Sequence, residues 1–190
     1  MAEARRCGTV PSGTFVCPAG RVLRGTFAGF MIGSLMAKLS AGLLLYRHNG
    51  DAVEILIAHP GGPIWARRDT AAWSLPKGAP LDQEDLLVAA RREFHEETGY
   101  VAPDGRPIDL GEVRMRSGKT VRAWAIEGNM DPATLRSLEV EVEWPPRTGQ
   151  VVVVPEIDRI VWARPAEARR RLNPAQAEFV DRLLAALART

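Results

Sequence analysis

Short apolar runs separated by polar turns predict two β-hairpins before and after a central helix. Residues 38–47 have the composition of a buried strand, and residues 53–58 return after an Asn49-Gly50 turn. Residues 110–115 and 120–127 predict a second pair of strands around a Ser-Gly-Lys turn. The first half of the protein is therefore expected to contribute a sheet.

The remaining pattern mixes strands and helices. Residues 140–144, 151–154 and 160–163 are strand-like, and a last helix is expected to begin at Asn173-Pro174. Its apolar positions recur at helical spacing and predict core packing: Ala177, Val180, Leu183, Leu184 and Leu187. Because strands and helices do not alternate strictly, the pattern favours an α+β fold with a mixed sheet over a doubly wound one.

The strongest helix is predicted over residues 83–98, with Asp82 as its N-cap and Gly99 at its C-terminal end. At 3.6 residues per turn, Glu93, Glu96 and Glu97 fall within an arc of about 100°. Glu97 lies among the apolar positions of this helix rather than opposite them. The apolar residues are Leu86, Leu87, Ala90 and Phe94.

A carboxylate on a packing face is costly unless a cation neutralises it. Magnesium suits the need, because it prefers carboxylate oxygen and is often completed by substrate phosphates. The alternative is a solvated acidic face beside Arg91 and Arg92. Arg92 follows Glu84 by eight residues, so a pair needs Arg92 to reach along two turns or Glu84 to lie off the helix axis. Arg92 can alternatively orient Glu93 or Glu96, or be an ordinary surface arginine.

Length, charge and cysteine content narrow the class of protein. The 190 residues suit one domain with a short extension, and the net charge is +2. The first 38 residues carry most of the positive charge, so the body of the chain lacks the basic excess of a duplex-DNA binder. Cys7 and Cys17, the only cysteines, both lie in that segment and fit a reduced, cytoplasmic compartment.

The N-terminal segment 1–37 is expected to be a flexible extension, followed by a domain over 38–190. Its apolar run, residues 26–37, is too short to span a bilayer comfortably. A signal peptide is disfavoured, because no clear small-x-small cleavage site precedes the first strand. No membrane association is therefore expected, while the oligomeric state is left open.

The central stretch resembles the complete signature of the Nudix hydrolases. It has Gly78, five residues, Glu84, seven residues, and then the run 92–100, REFHEETGY. Every fixed position of that signature is filled. The resemblance covers about four-fifths of the chain and implies an α/β/α sandwich around a mixed β-sheet. It also implies hydrolysis of a nucleoside diphosphate linked to another group, by attack of a metal-activated water on phosphorus.

The resemblance assigns roles to individual residues. It implies that Glu93, Glu96 and Glu97 ligate magnesium or manganese, that Arg92 orients the glutamates, and that Gly78 contacts metal or substrate. The general base in the family is often a glutamate of the signature or one outside it. In this chain the outside candidates are Glu141 and Glu143, which share one face of a predicted strand. Glu143 is preferred because Pro145-Pro146 would stiffen its neighbourhood, although a polar strand face is an equal alternative.

The substrate is less well defined by the sequence. Arg67, Lys77 and Lys119 are among the basic residues that could contact phosphates, and one of five tryptophans could stack on a base. Segments 60–65 and 143–146 look similar to bacterial Nudix proteins regarded as nucleoside triphosphate pyrophosphohydrolases. A nucleoside triphosphate or dinucleoside polyphosphate is therefore expected. Two alternatives are a non-catalytic nucleotide sensor and an RNA 5′-end pyrophosphohydrolase.

Overall fold

A six-stranded mixed sheet lies at the centre of the computed structural model, which describes residues 39–189. The strand order is β4-β5-β1-β2-β8, and the short β3 pairs with one end of β1. Strands β1 and β5 are parallel, and the other pairs are antiparallel. The strands are β1 (Leu39–Asn49), β2 (Ala52–Pro60), β3 (Lys77–Gly78), β4 (Ile108–Arg114), β5 (Thr120–Glu127), β6 (Glu139–Glu143), β7 (Val151–Pro155) and β8 (Ile157–Ala163).

Helices cover both faces of this sheet. Helix α1 (Leu86–Thr98) packs on one face, and helices α2 (Pro165–Arg171) and α3 (Pro174–Leu187) pack on the other. A 3₁₀ turn spans Pro132–Thr134. Each face has its own apolar cluster, because alternate residues of β1 point to opposite sides. The predicted α+β fold, an α/β/α sandwich around a mixed sheet, is confirmed.

The two predicted hairpins are present as β1–β2 and β4–β5. The apolar stripe of the last helix also packs against the core as expected, with Val180 and Leu183 fully buried. The sequence pattern missed helix α2, although Pro165 stands at its first turn, where proline is favoured. It also gave no sign that β6 and β7 form a separate two-stranded sheet.

Helix α1 begins later than predicted. The N-cap is Asp85, whose carboxylate accepts hydrogen bonds from the backbone N–H groups of Leu87 (2.9 Å) and Val88 (3.1 Å). Asp82 was the wrong choice, because Gln83 adopts a φ of +60° that no right-handed helix accommodates. Glu84 therefore precedes the helix, and helical spacing does not determine the position of its side chain.

The β6–β7 hairpin approaches the loop after β2 through Gly61. The N–H of Gly61 donates to the carbonyl oxygen of Glu156 at 2.9 Å, and a Cβ atom at Gly61 would overlap the carbonyl oxygen of Pro155. Glycine is needed here because any side chain would push the loop off the hairpin. This contact brings the loop and the hairpin together beside the end of β8.

The N-terminal extension, its two cysteines and its apolar run lie outside the described residues. Within residues 39–189, no helix combines the length and hydrophobicity that crossing a bilayer requires. The domain boundary at residue 38 stays a prediction.

Candidate active site

Strand β3 and helix α1 bring the two ends of the sequence signature into contact. Gly78 lies so close to Glu93 that a Cβ atom at position 78 would overlap the Glu93 carboxylate. The same strand positions Lys77, whose backbone N–H donates to Oε2 of Glu97 at 3.2 Å. Gly78 therefore serves close packing of β3 on the helix, which any larger residue would prevent.

Arg92 joins three carboxylates. Its Nε and Nη2 each donate to the Glu84 carboxylate at 2.9 Å, which makes a bidentate pair. Its Nη1 donates to Glu93 at 2.7 Å and to Glu96 at 3.0 Å. The hydrogen bonds that Arg92 donates hold the pKa of Glu84 below its ordinary value, and the same bonds to Glu84 and Glu93 raise the pKa of Arg92. Glu84 reaches Arg92 because it precedes the helix.

Glu97 is a buried carboxylate. It is only 6% exposed, as its position on the apolar side of the predicted helix suggested. Burial raises its pKa to about 8, and the negative charges of Glu156 and Glu93 act in the same direction, against the positive charge of Lys77. Because the charge of Lys77 only partly offsets the cost of burial, the charged form of this side chain is disfavoured at neutral pH.

Glu93 and Glu96 differ in burial. The side chain of Glu93 is 15% exposed, and burial raises its pKa, opposed by the hydrogen bond from Arg92 and reinforced by the charge of Glu96. Glu96 is more exposed and lies on the outer side of Arg92. The exposure of the three glutamates of the helix thus decreases from Glu96, which is the most exposed, through Glu93 to Glu97, which is buried.

Glu156 is a cluster residue that the sequence analysis missed. It lies between β7 and β8, with its backbone held by Leu138 and Gly61. Burial raises the pKa of its carboxyl group, and the charges of Glu93 and Glu96 add to this effect while Lys77 opposes it. No periodicity marked this position, because it comes to the helix through the pairing of β8 with β2 rather than through local sequence.

Glu143 lies outside the carboxylate cluster. It is exposed on β6, and its Oε1 accepts a hydrogen bond from the N–H of Gly149 at 2.9 Å in the same hairpin. Glu141 is exposed on the same strand face. The preference for Glu143 rested on the stiffness of the neighbouring prolines, but the hairpin directs this carboxylate to its own turn. Glu156 is better placed than Glu143 to act on a group at the cluster.

Two lysines border the cluster. Lys77 lies on β3, and Lys119 immediately precedes β5. Burial lowers the pKa of Lys119, as does the positive charge of Lys77, while Glu93 and Glu97 oppose the shift. Arg67, the third basic candidate, is exposed on the loop after β2; among residues 39–189 it makes none of the hydrogen bonds that join the cluster.

An apolar cavity of about 180 Å³ adjoins Glu156. One wall is the loop 60–65, which includes Trp65, and the other is the inner face of the β6–β7 hairpin, with Val140, Val142 and Val154. A larger, open depression of about 500 Å³ lies at the opposite end of β1, around Arg47. The smaller cavity is the better candidate for a ligand, because it alone of these two includes a residue of the carboxylate cluster.

The donor set of the cluster fits a hard divalent cation. Within the described part of the chain, no three His, Cys, Asp or Glu side chains are arranged as a ready-made metal centre. Arg92 accounts for this, since it holds Glu93 and Glu96 in hydrogen bonds. The buried Glu97 and the partly buried Glu93 and Glu156 nevertheless have raised pKa values that a divalent cation would offset.

Solved structures define the fold class. The model superposes on an Ap4A hydrolase from C. elegans with a TM-score of 0.58 and 20% identity, over 80% of this chain and 99% of that one. At this identity the likeness establishes the fold. A family model for the NUDIX domain matches residues 36–183, which is most of the chain. The protein therefore belongs to the Nudix family.

Two curated relatives match over shorter stretches. The RNA pyrophosphohydrolase of Caulobacter vibrioides is 46% identical over 84 residues, which are 38% of this chain and 49% of that protein. The 8-oxo-(d)GTP phosphatase of Mycolicibacterium smegmatis is 39% identical over 95 residues, which are 45% of this chain and 27% of that protein. The matches thus span half or less of the length of these relatives.

Proposed function

We propose that this protein is a Mg²⁺-dependent pyrophosphohydrolase that cleaves a diphosphate bond of a nucleoside polyphosphate. The observation that carries the proposal is the buried Glu97 carboxyl group beside the partly buried Glu93 and Glu156, a crowding of acids that a bound cation would relieve. A carboxyl group as buried as that of Glu97 is rare unless it is paired, and a strongly shifted pKa is frequent at functional sites. The complete signature, with no acid missing, favours an enzyme over a nucleotide sensor.

Each residue of the cluster has a proposed role. Glu93, Glu96 and Glu97 hold the divalent cation, Mg²⁺ or Mn²⁺, and Arg92 keeps Glu93 and Glu96 in place. When bound, the cation would stabilise negative charge on the phosphate oxygens and favour deprotonation of the attacking water. Turnover would require Glu93 and Glu96 to exchange part of their contact with Arg92 for contact with the cation.

Glu156 is the proposed general base. A base works best when its pKa lies near the operating pH, and burial together with the neighbouring acids raises the pKa of Glu156 toward that range. Glu143 was the sequence-based candidate for this role, and its place in the hairpin turn supports it less. Lys77 and Gly78 would contact substrate phosphates from β3, with Arg67 as a more distant candidate.

Nucleoside triphosphates are the first substrate class to test. One curated relative is named as an 8-oxo-(d)GTP phosphatase, which favours a free nucleoside triphosphate. The second candidate is the triphosphorylated 5′ end of RNA, which the Caulobacter relative favours. The slight negative charge of the chain beyond residue 38 argues against a long nucleic-acid footprint. A cytoplasmic location and the lack of duplex-DNA partners remain predictions.

A substrate panel tests this function. Ribo- and deoxynucleoside triphosphates, dinucleoside polyphosphates and a 5′-triphosphorylated RNA would be incubated with Mg²⁺ or Mn²⁺, and the products identified. We expect release of pyrophosphate or phosphate from free nucleotides, abolished by chelation and by Glu96→Gln. Tight nucleotide binding without turnover of any compound would overturn the proposal in favour of a sensor. Turnover of RNA ends alone would select the second candidate.

A further inference from the structure

His59 is the last buried residue of β2, and both nitrogens of its ring face oxygen atoms. The residue is 0% exposed. Its Nδ1 lies 2.7 Å from Oδ1 of Asp158, and its Nε2 lies 2.8 Å from the carbonyl oxygen of Arg68. An ionised carboxylate and a carbonyl can only accept hydrogen bonds, so each nitrogen must donate. Only the doubly protonated ring, the imidazolium, has a hydrogen on both nitrogens.

A neutral His59 ring would turn one of these contacts into a repulsive one. It carries a single hydrogen, so in either tautomer the lone pair of the other nitrogen would point at an oxygen atom. Water cannot separate the two atoms, because the ring is fully buried. A hydrogen bond to a charged acceptor is the stronger of the two. The bond to the carbonyl oxygen of Arg68 is therefore the one that is lost with the second proton.

A β-bulge places Asp158 beside the ring. In the pairing of β2 with β8, His59 lies opposite Arg159, and Pro60 lies opposite Ile157. Asp158 is therefore the extra residue of a bulge, which interrupts strand alternation and redirects a side chain. The side chain of Asp158 is 30% exposed, so this ion pair is buried on the histidine side only. The bulge thus supplies the buried ring with an anionic partner.

The loop formed by residues 61–68 is tied down at both ends. At its start, the N–H of Gly61 donates to the carbonyl oxygen of Glu156 at 2.9 Å. At its end, the carbonyl oxygen of Arg68 accepts from the His59 ring. Inside the loop, the N–H of Arg68 donates to the carbonyl oxygen of Trp65 at 2.7 Å. Release of Arg68 would therefore loosen the part of the loop that carries Trp65 to the wall of the apolar cavity.

The charged groups around His59 come from β8, from the loop and from helix α2. Among residues 39–189, the only carboxylate within hydrogen-bond distance of the ring is that of Asp158, which Arg159 also contacts at 3.5 Å. The uncharged Trp73 ring packs edge-on against the imidazole, with 4.9 Å between the ring centres. The remaining charged groups lie around Trp73 or on the loop, and they are Arg68, Asp69, Arg170 and Arg171.

We propose that the His59–Asp158 pair is a pH-sensitive latch, which fastens the loop 61–68 while the His59 ring carries both protons and releases it when one is lost as the pH rises. The latched form holds one proton more than the released form, so acid favours closure of the loop. Because the loop is one wall of the apolar cavity, the same proton controls access to that cavity. The latch does not rest on the proposed function, since both of its measurements are made without turnover.

Nitrogen-15 NMR of the histidine rings tests the protonation state. The chain has three histidines, so His48→Gln and His95→Gln identify the signals of His59. At about pH 6, both ring nitrogens of His59 should carry a hydrogen. In Asp158→Asn the new amide can donate to Nδ1 and leave the hydrogen on Nε2 for Arg68, so the ring should be neutral. A singly protonated His59 ring in the wild type at this pH would overturn the latch.

Hydrogen exchange of the loop amides tests the release. Exchange over residues 65–68 would be compared at about pH 6 and about pH 8.5, after correction for the intrinsic effect of pH. The wild type should lose protection about 10-fold or more at the higher pH, because a buried acceptor then loses its donor.

Asp158→Asn is the matched control for hydrogen exchange, since it keeps every other titrating group of the wild type. Its loop should be protected equally at both pH values, because a neutral ring satisfies both partners. Equal protection of the wild type at the two pH values, or the same loss in Asp158→Asn, would overturn the latch. Neither result bears on the proposed hydrolysis, which the substrate panel decides.

Discussion

Helices α1 and α3 each bury one polar side chain against the same short segment. Gln176 of α3 is 1% exposed, and its Oε1 accepts a hydrogen bond from the N–H of Leu75 at 3.0 Å. Glu97 of α1 is 6% exposed and accepts from the N–H of Lys77 at 3.2 Å. The two contacts hold residues 75–77 from opposite faces of the sheet.

The difference between an amide and a carboxylate separates the roles of the two helices. Gln176 is neutral at every pH, so one good hydrogen bond largely offsets its burial. Glu97 has a pKa of about 8, and its ionised form lacks a full charge partner among the described residues. Glutamine holds the loop at less cost than glutamate would. The carboxylate at position 97 is therefore best explained by chemistry rather than by stability.

Of the substitutions that compare the two helices, Glu97→Gln should have the largest effect, which is a loss of activity. The variant keeps shape and the hydrogen bond from Lys77, but it cannot supply a negative oxygen to a cation. We expect kcat to fall by about 10³-fold or more, while the melting temperature of the metal-free protein stays the same or rises. Steady-state kinetics and thermal unfolding would measure both. Full activity in Glu97→Gln and in Glu96→Gln together would contradict the metal assignment.

The contribution of Glu97 to the stability of the protein should depend on pH, whereas that of Gln176 should not. Because burial raises the pKa of Glu97 from 4.5 to about 8, the folded metal-free protein holds a proton that the unfolded chain releases. The contribution of Glu97 to stability should be greatest below about pH 5 and decline between about pH 5 and pH 8, by roughly 2–4 kcal/mol.

Urea unfolding across this range, in chelator, would measure the slope. Glu97→Gln should flatten most of it, with Glu93 and Glu156 supplying the remainder, since burial also raises their pKa values. Added Mg²⁺ should stabilise the wild type at pH 8 more than the variant. An unchanged slope in Glu97→Gln would show that its carboxyl group is not the one that titrates.

Gln176→Leu should have the smallest effect, which is a loss of stability that does not depend on pH. The substitution leaves the N–H of Leu75 buried without its acceptor, which costs about 1–3 kcal/mol of the free energy of unfolding. The loss should be the same at pH 5 and pH 8, because no titrating group is removed. Urea unfolding at the two pH values measures it, and a pH-dependent loss would mean that both helices share one electrostatic network.

Local sequence patterns predicted which face of helix α1 carries Glu97, but they did not predict every residue of the carboxylate cluster. Periodicity alone placed Glu97 among apolar residues, and the structure confirms that it is buried. The spacing of Glu84 and Arg92 allowed a pair if Arg92 reached along two turns or if Glu84 lay off the helix. The structure has the second arrangement, since Glu84 follows the left-handed Gln83 and precedes the helix. That conformation has no clear signature in the residue types, so the sequence predicts Asp82 as the cap, whereas Asp85 caps the helix in the structure.

Glu156 and the apolar cavity could not be predicted in this way. Both depend on which distant strands pair, since β8 joins β2 and the β6–β7 hairpin folds over residues 60–65. An acid between two strands carries no periodic signal of its own. From the sequence, Glu143 is the preferred general base because prolines follow it. The hydrogen bond that its carboxylate accepts from Gly149 is evident only from the structure.

The separate β6–β7 sheet has a consequence for how this protein can diversify. Its two strands pair only with each other among the described strands, and Gly61 joins it to the rest by backbone contact. Mutations on its inner face can therefore reshape the cavity without disturbing the strands that carry Lys77 or the helix that carries Glu97. Substitution of the inner valines can vary the cavity while Gly61 and Glu156 are kept, whereas exchange of the whole hairpin would also displace Glu156, which directly follows β7 and whose N–H donates to Leu138.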